Sequence, residues 1–547
     1  MTYSEVKRHA RQITSVTRSR YMPPWLPAEG YGHFANERRL SDTQIQTIAA
    51  WVAAGEPEGL SKDLPAAPIL KSGWRLGTPD LIVTAGSPHA VPASGPDVFW
   101  NFTFRPKLAK TRYVSAMEIK PAGSDANDAA RIIHHANVSI DRSGSIRRLE
   151  PKPGSGFPGM ELALDRNPFD PESHFLFWKP GSQPEREPPD MAWRLDPGNA
   201  LVLNTHLQTT GKQETIQPLV GLYFTDRPPS RFPLLLELEH DNALEIPAND
   251  PNFLISDDFR LPMDVDVLAV YPHAHYLGRL LEAYATLPDG SRVWLIRIPD
   301  WNFAWQAVYR YSQPVFLPKG SVISMRFHYD NSSANPRNPN TPPKLVEAGN
   351  RATDEMGHLW LQVLPLGHGD RRRELQEAVV RHRLDKVPDD FQAHINLGAL
   401  MMSRLQTQSA IDQFQTAIRL NDHQAEAHDM LGSALRSVGR SQEAIAQYKR
   451  ALQLDPTYVD ARYDLATSLA RSGQFPEAIA ELRHVLQAFP SSARLHNELG
   501  EMLAQTGDLH GALAQFTQAV ALDPADTYAV KNRDWAVQHL AQAHANH

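Results

Sequence analysis

Val270-Tyr-Pro-His-Ala-His-Tyr-Leu-Gly-Arg279 is an apolar, β-rich stretch that carries His273 and His275 with one residue between them. In an extended strand the side chains at i and i+2 point to the same face. Two imidazoles so placed converge on one metal ion without bending the backbone. A second pair, His134-His135, lies upstream in Ala130-Arg-Ile-Ile-His-His-Ala-Asn-Val138. Neighbours on a strand point to opposite faces, so this pair shares a metal only at a bulge or a strand end. Two further positions join them: His206 in Val202-Leu-Asn-Thr-His-Leu-Gln-Thr-Thr-Gly-Lys212, at the end of an apolar strand, and Met356 in Thr353-Asp-Glu-Met-Gly-His-Leu-Trp360. Met325, His328 and His358 lie close by in sequence and read as non-ligands.

Around these positions, from about residue 70 to 368, short runs rich in Val, Ile, Leu, Phe and Tyr alternate with clusters of Pro, Gly, Asn and Asp. That spacing predicts antiparallel β-sandwich or jelly-roll architecture. The length suits two sandwiches, over 69–226 and 227–368, divided near Thr225-Asp-Arg-Pro-Pro-Ser230. Upstream, Ser4–Arg18 reads as a helix broken by Met22-Pro-Pro-Trp-Leu-Pro27. Ser41-Asp-Thr-Gln44 is a capping box for a helix over Ile45–Ala54, which Gly55 and Pro57 end.

Downstream, 369–387 reads as a polar helical linker, and from Pro388 the chain repeats every ~34 residues. Leu397, Leu431, Leu465 and Leu499 fall in register, followed by Gly398, Gly432, Ala466 and Gly500. Ala410, Ala444, Ala478 and Ala512 recur likewise, and Pro456, Pro490 and Pro524 close successive units. Small residues recur where two helices cross closely. The pattern resembles the tetratricopeptide repeat, four units with a solvating helix over 388–540. Such all-α superhelices bind peptides or proteins on a concave face.

The bulk composition excludes several classes. A net charge of -7 over 547 residues, with both signs dispersed, lacks the basic footprint of a nucleic-acid binder. No run approaches the ~18 apolar residues of a membrane span. With no cysteine there is no disulfide, no thiolate metal site and no covalent haem through Cys-x-x-Cys-His. Histidine, of which there are 23, is the main candidate ligand type.

His134-His135, His206, His273-x-His275-x-x-Gly278-Arg279 and Asp354-Glu-Met356 occur in the order seen in the copper type II, ascorbate-dependent monooxygenases. That family includes the peptidylglycine α-hydroxylating and dopamine β-hydroxylating enzymes, and the resemblance covers about 75–368. It implies two jelly-roll domains with one copper each. His134, His135 and His206 would hold the electron-supplying ion. His273, His275 and Met356 would hold the ion at which oxygen and substrate react, and are the catalytic set. A soft thioether favours Cu(I), and imidazole suits both oxidation states. Where the peptide-amidating branch has an Arg and a Tyr to grip a carboxylate, this chain has Tyr271 and Trp360.

Residues 1–68 resemble the C-terminal half of a bacterial cytochrome c domain, with Met22 at the haem-ligand position and the attachment half missing, so no haem is expected here. A chain starting inside such a domain is one expectation, and a small helical cap is the other. The functional expectation is a C–H hydroxylase using O2, two copper ions and a one-electron donor, ascorbate or a cytochrome. Its partners would be a small-molecule or peptide substrate, a redox partner and a protein docked on the repeats. The family's habit places it in the periplasm or outside the cell, with no signal in this chain. The alternatives are a non-catalytic repeat scaffold with a structural or vestigial metal module, and a zinc hydrolase, against which Met356 counts.

Overall fold

The computed structural model describes all residues except 1, 64–72, 96–97, 123–130, 143–145, 147–149, 151, 153, 160–176, 179–183, 189, 350, 352, 491 and 546–547. The side chains of Ser61, His134, Phe177 and residues 543–545 also lie outside the description. Two compact units result, Met1–His382 and Arg383–His547. The first is rich in strands and the second is all helix. No helix among the described residues is long and apolar enough to cross a membrane.

In the first unit, antiparallel sheets face one another in two pairs. One pair joins a four-stranded sheet, ordered Leu81–Thr84, Leu219–Thr225, Arg112–Lys120 and Trp193–Leu195, to a five-stranded one. The five run Phe157–Pro158, Val98–Phe104, Ala200–Leu207, Ile133–Asp141 and Phe177–Trp178. Val114, Val220 and Leu222 of one sheet share a core with Phe102, Leu201 and Leu203 of the other. The second pair joins Leu234–Glu239, His358–Pro365, Val265–His273 and Tyr309–Leu317 to Phe253–Arg260, Val322–Tyr329, Gly278–Thr286 and Arg292–Ile298. Its core mixes Leu236, Val267 and Leu361 with Ile255, Leu281 and Phe327. Alternating apolar residues on strands from both sheets bury their faces together, which is what two-sheet packing requires.

The N-terminal segment behaves differently from an independent helical remnant. The expected helix over Ser4–Arg18 is two, Tyr3–Arg8 and Ala10–Arg18. The capping box is present as expected: Ser41 and Gln44 cap each other's backbone at the start of Asp42–Ala53. Between them the chain packs along the second pair of sheets. Ala28 N–H donates to Arg297 O at 2.7 Å, Ala35 N–H to Arg310 O at 2.8 Å, and Ser312 N–H to His33 O at 2.9 Å. Phe34 enters the core, and Trp25 packs edge-on to Phe34 and Tyr309. The aromatic residues of this Pro-rich stretch therefore serve as apolar anchors. Met22 stays exposed.

The segment read as a polar helical linker is indeed a helix, Arg372–Lys386, but its Leu375 is buried in the same core. His382 fastens it further through a 2.7 Å contact between its Nε2 and Asp257. The apolar spacing on one side of this helix was hidden by its many charges.

In the second unit four helix pairs follow, each beginning at Phe391, Ala425, Val459 and Ala493, with Thr527–Ala545 closing the series. A Cβ on Gly398 would meet the Phe414 ring at 2.5 Å, on Gly432 the Tyr448 ring at 2.7 Å, and on Gly500 the Phe516 ring at 2.5 Å. The third unit has Ala466 in that position and Leu482 at the aromatic one, both fully buried. Bulk is traded across the crossing, so its volume is kept. A second repeated device is polar. His394 reaches Gln413 (2.7 Å) and the Pro388 carbonyl (3.0 Å), and His428 and His496 do the same with Gln447 and Gln515. Arg462 replaces the imidazole in the third unit, bonding Glu481 and the Pro456 carbonyl.

Gly432→Ala should therefore overpack the second repeat and cost about 1–3 kcal/mol, read by urea unfolding of the full chain. Phe34→Ala should cost about 3 kcal/mol, whereas Met22→Leu should be neutral in the same assay.

Candidate functional site

His273 ends the strand Val265–His273, and its Cα partner on the neighbouring strand is His358. His275 follows in a turn, and the two rings stand edge to face with centroids 5.3 Å apart at 85°. Both residues are buried. Their protons are set by their neighbours. Gln306 Oε1 accepts from Tyr271 Oη at 2.9 Å and lies 2.7 Å from His273 Nδ1. An oxygen acceptor there requires the proton on Nδ1 and leaves Nε2 bare. The Asp354 carbonyl lies 3.1 Å from His275 Nδ1 and imposes the same tautomer. With Nδ1 of each ring facing an oxygen acceptor, Nε2 is the nitrogen each neutral ring could offer to a metal, oriented by the bond at its other nitrogen.

Electrostatics agrees with neutral rings. Burial depresses His273 well below the usual imidazole range, aided by His275, then His358, and also His135. Burial likewise lowers His275, against the pull of the Asp354 carbonyl.

Upstream, His206 lies opposite His135 across the strand pair, and their rings are edge to face at 5.0 Å. Phe99, on the other neighbouring strand, stacks on His206 at 4.7 Å. The register slips between Ile133 and His135, so His134 is the extra residue of a bulge. That irregularity is what an adjacent pair needs to share a ligand. The side chain of His134 lies outside the described residues.

Met356 stands two residues before His358, at the end of the strand that pairs with His273. Its carbonyl accepts from Tyr329 Oη at 2.7 Å. A Cβ on Gly357 would lie 2.7 Å from that hydroxyl, so glycine is needed there. Gly278 has a similar role: its missing Cβ makes room for Trp301, whose Nε1 donates to the carbonyls of Ala274 and His275 at 3.1 Å. Glu355 is fully buried; burial pushes its carboxyl up to about 8, against the backbone N–H groups of Met356, His275, Leu277 and Gly278. Among the described residues, no group of three His, Cys, Asp or Glu is placed to hold a metal. Each candidate set contributes two described imidazoles; the third members are His134 and the Met356 thioether.

The neighbouring decoys have other work. Met325 is fully buried in the core, and His328 bonds Asn252 on the outer face. His358 is engaged at both nitrogens: Nε2 lies 3.0 Å from Asp241, and Nδ1 makes an ionic contact of 3.1 Å with Glu237. Burial works against its charge, yet Asp241 and Glu237 outweigh it and raise His358 to about 10. Tyr271 and Trp360 stack face to face at 5.4 Å beside His273. Gln306 and Phe303, which lies 5.4 Å edge-on to His275, carried no signal in the sequence. Glu355 did, since it belongs to the Asp354-Glu-Met356 motif.

The comparisons with known proteins bear on the helical unit. Three family models, each described as tetratricopeptide repeat, match residues 402–459, 435–501 and 493–526. The C-terminal region is thus a tetratricopeptide-repeat array. Among solved structures it is similar to YrrB, a TPR protein with an unusual peptide-binding site, at 21% identity over 30% of this chain and 84% of that one, TM-score 0.28. It is also similar to MamA, at 24% identity over 29% and 96%, TM-score 0.27. A MamA fragment from Desulfovibrio magneticus RS-1 is 22% identical over 28% and 92%, TM-score 0.25. No curated protein matches the chain.

Gln306→Leu should remove the oxygen that faces the Tyr271 hydroxyl and His273 Nδ1, at a cost of about 1–3 kcal/mol. In 15N NMR of the metal-free protein, His273 should show the Nδ1–H tautomer in the wild type and a mixture in the variant.

Proposed function

We propose that this chain is a scaffold whose repeat array recruits a protein or peptide partner, and that its β region is a two-copper C–H hydroxylase. The family matches support the first part, and by themselves they favour a scaffold whose β module is structural. The catalytic part rests on one observation: two pairs of imidazoles, each edge to face at 5.0–5.3 Å, one beside a backbone bulge and one with both Nδ1 protons committed elsewhere. A pair of histidines serving only to fill a core has no need of two Nδ1 atoms each held by a separate acceptor.

His134, His135 and His206 would hold one ion, and His273, His275 and Met356 the other. Copper in such sites supplies one-electron steps and the activation of O2 for insertion into a C–H bond. The chain's own residues do the rest. Gln306 and Asp354 fix the tautomers of the downstream pair. Phe303 and the Tyr271–Trp360 stack would line one side of it with aromatic rings. With aromatic rings in place of a cationic grip, a substrate presenting a carboxylate to this side is disfavoured. The electron donor is proposed to be ascorbate or a reduced cytochrome, and the location periplasmic or outside the cell.

Anaerobic Cu(I) loading of the full chain, followed by dialysis and metal analysis, tests the reading. The wild type should retain about two copper ions, and His135→Ala about one. Met356→Ala should keep its copper with weakened Cu(I) affinity. A wild type that holds no copper, or takes zinc in preference, leaves the scaffold with a structural β module.

A further inference from the structure

The side chain most deeply committed to the downstream cluster is one that cannot itself be a ligand there. Glu355 is fully buried, and all its described bonds are to backbone N–H groups. One carboxylate oxygen, Oε1, accepts from both His275 N–H and Met356 N–H, the latter at 2.9 Å. The other, Oε2, accepts from Leu277 N–H at 2.8 Å. The turn carrying His275 therefore wraps around a carboxylate that belongs to the segment carrying Met356, about eighty residues further along the chain.

Two amide nitrogens bonded to a single oxygen lie within about 6 Å of each other. The His275 and Met356 backbones are held at that spacing by one atom, before any ligand is present. Asp354 completes the hold, because its carbonyl takes the His275 Nδ1 proton. Residues 354 and 355 thus fix His275 by ring and backbone together, while Tyr329 fixes the Met356 carbonyl from the opposite side. The Glu355 bonds reach no core side chain, so apolar packing elsewhere in the sandwich does not depend on them directly.

We propose that Glu355 is the positioning residue that makes His275 and Met356 members of one site, by joining their two backbone segments through a single carboxylate. The proposal rests on the copper reading for the identity of the ligand. It separates from that reading because it concerns the thioether alone: without the clasp, His273 and His275 still offer Nε2, while Met356 is free to swing away.

Copper K-edge X-ray absorption on the Cu(I)-loaded full chain reads the thioether directly as a sulfur scatterer. The wild type should show about one sulfur at the downstream copper, and Met356→Leu none. Glu355→Gln, which keeps the volume and places an N–H donor against donors, should lose at least half of the sulfur signal and about tenfold in Cu(I) affinity. Upstream loading should be unchanged, which a merely destabilised fold would not give. Retention of the full sulfur signal in Glu355→Gln overturns the proposal while leaving the copper reading intact. Absence of copper from the wild type overturns the reading instead. Amide exchange of the metal-free wild type decides the matter even if the variant does not fold. The N–H groups of His275, Leu277 and Met356 should exchange at least tenfold more slowly than those of neighbouring turns, and fast exchange at all three overturns the clasp.

Discussion

Antiparallel pairing between Val265–His273 and His358–Pro365, at the centre of one sheet, is the interaction on which the candidate site depends. It sets His273 opposite His358 and brings Met356, just ahead of that strand, to the turn that carries His275. Register matters because a slip of one residue would turn His273 to the opposite face. The register is itself pinned by burial: Val267, Val270, Leu361 and Val363 all enter the core on this strand pair. Apolar packing thus decides where the imidazoles stand, and polar bonds to Gln306, Asp354 and Glu355 then decide how they point.

The two units use opposite strategies for placing chemistry. In the β region, side chains from remote segments meet at the ends of strands, where regular pairing stops and backbone groups become available to bond side chains. In the repeat array each contact is local and recurs at a fixed offset. The glycine-to-aromatic crossing and the imidazole clamp are built from residues within one unit of the repeat. Histidine accordingly means different things in the two regions. In the array His394, His428 and His496 each spend both nitrogens on a Gln and a backbone carbonyl, whereas in the sandwich His273 and His275 are each held through Nδ1.

Much of this was legible because it is periodic or punctuated. The repeats follow from small and apolar residues recurring at a constant interval, and the capping box at Ser41–Gln44 is a local rule that the helix obeys. The requirement for a bulge at His134-His135 was also readable, since adjacent residues on a strand cannot share a face otherwise. What sequence could not show was contact between segments with no common period. The Pro-rich stretch around Trp25 and Phe34 looks like a broken helix-turn-helix, yet it lies along the second sandwich because two aromatic rings fit its core. The charged helix after residue 371 hides Leu375 among arginines and glutamates, so its attachment was missed.

Sequence by itself determined the division into a β-rich region and a helical repeat array and the spacing of the repeats. These are properties of local pattern, carried by residues whose neighbours along the chain are also their neighbours in the rule. Tertiary structure alone decided that His273 and His275 bare the same nitrogen, that Met325 is core and His358 is tied to two carboxylates. It also decided that Glu355 joins two segments far apart in the chain. The physical reason is that hydrogen-bond partners and burial come from residues distant in sequence, and no pattern along one segment records what another will bring to it.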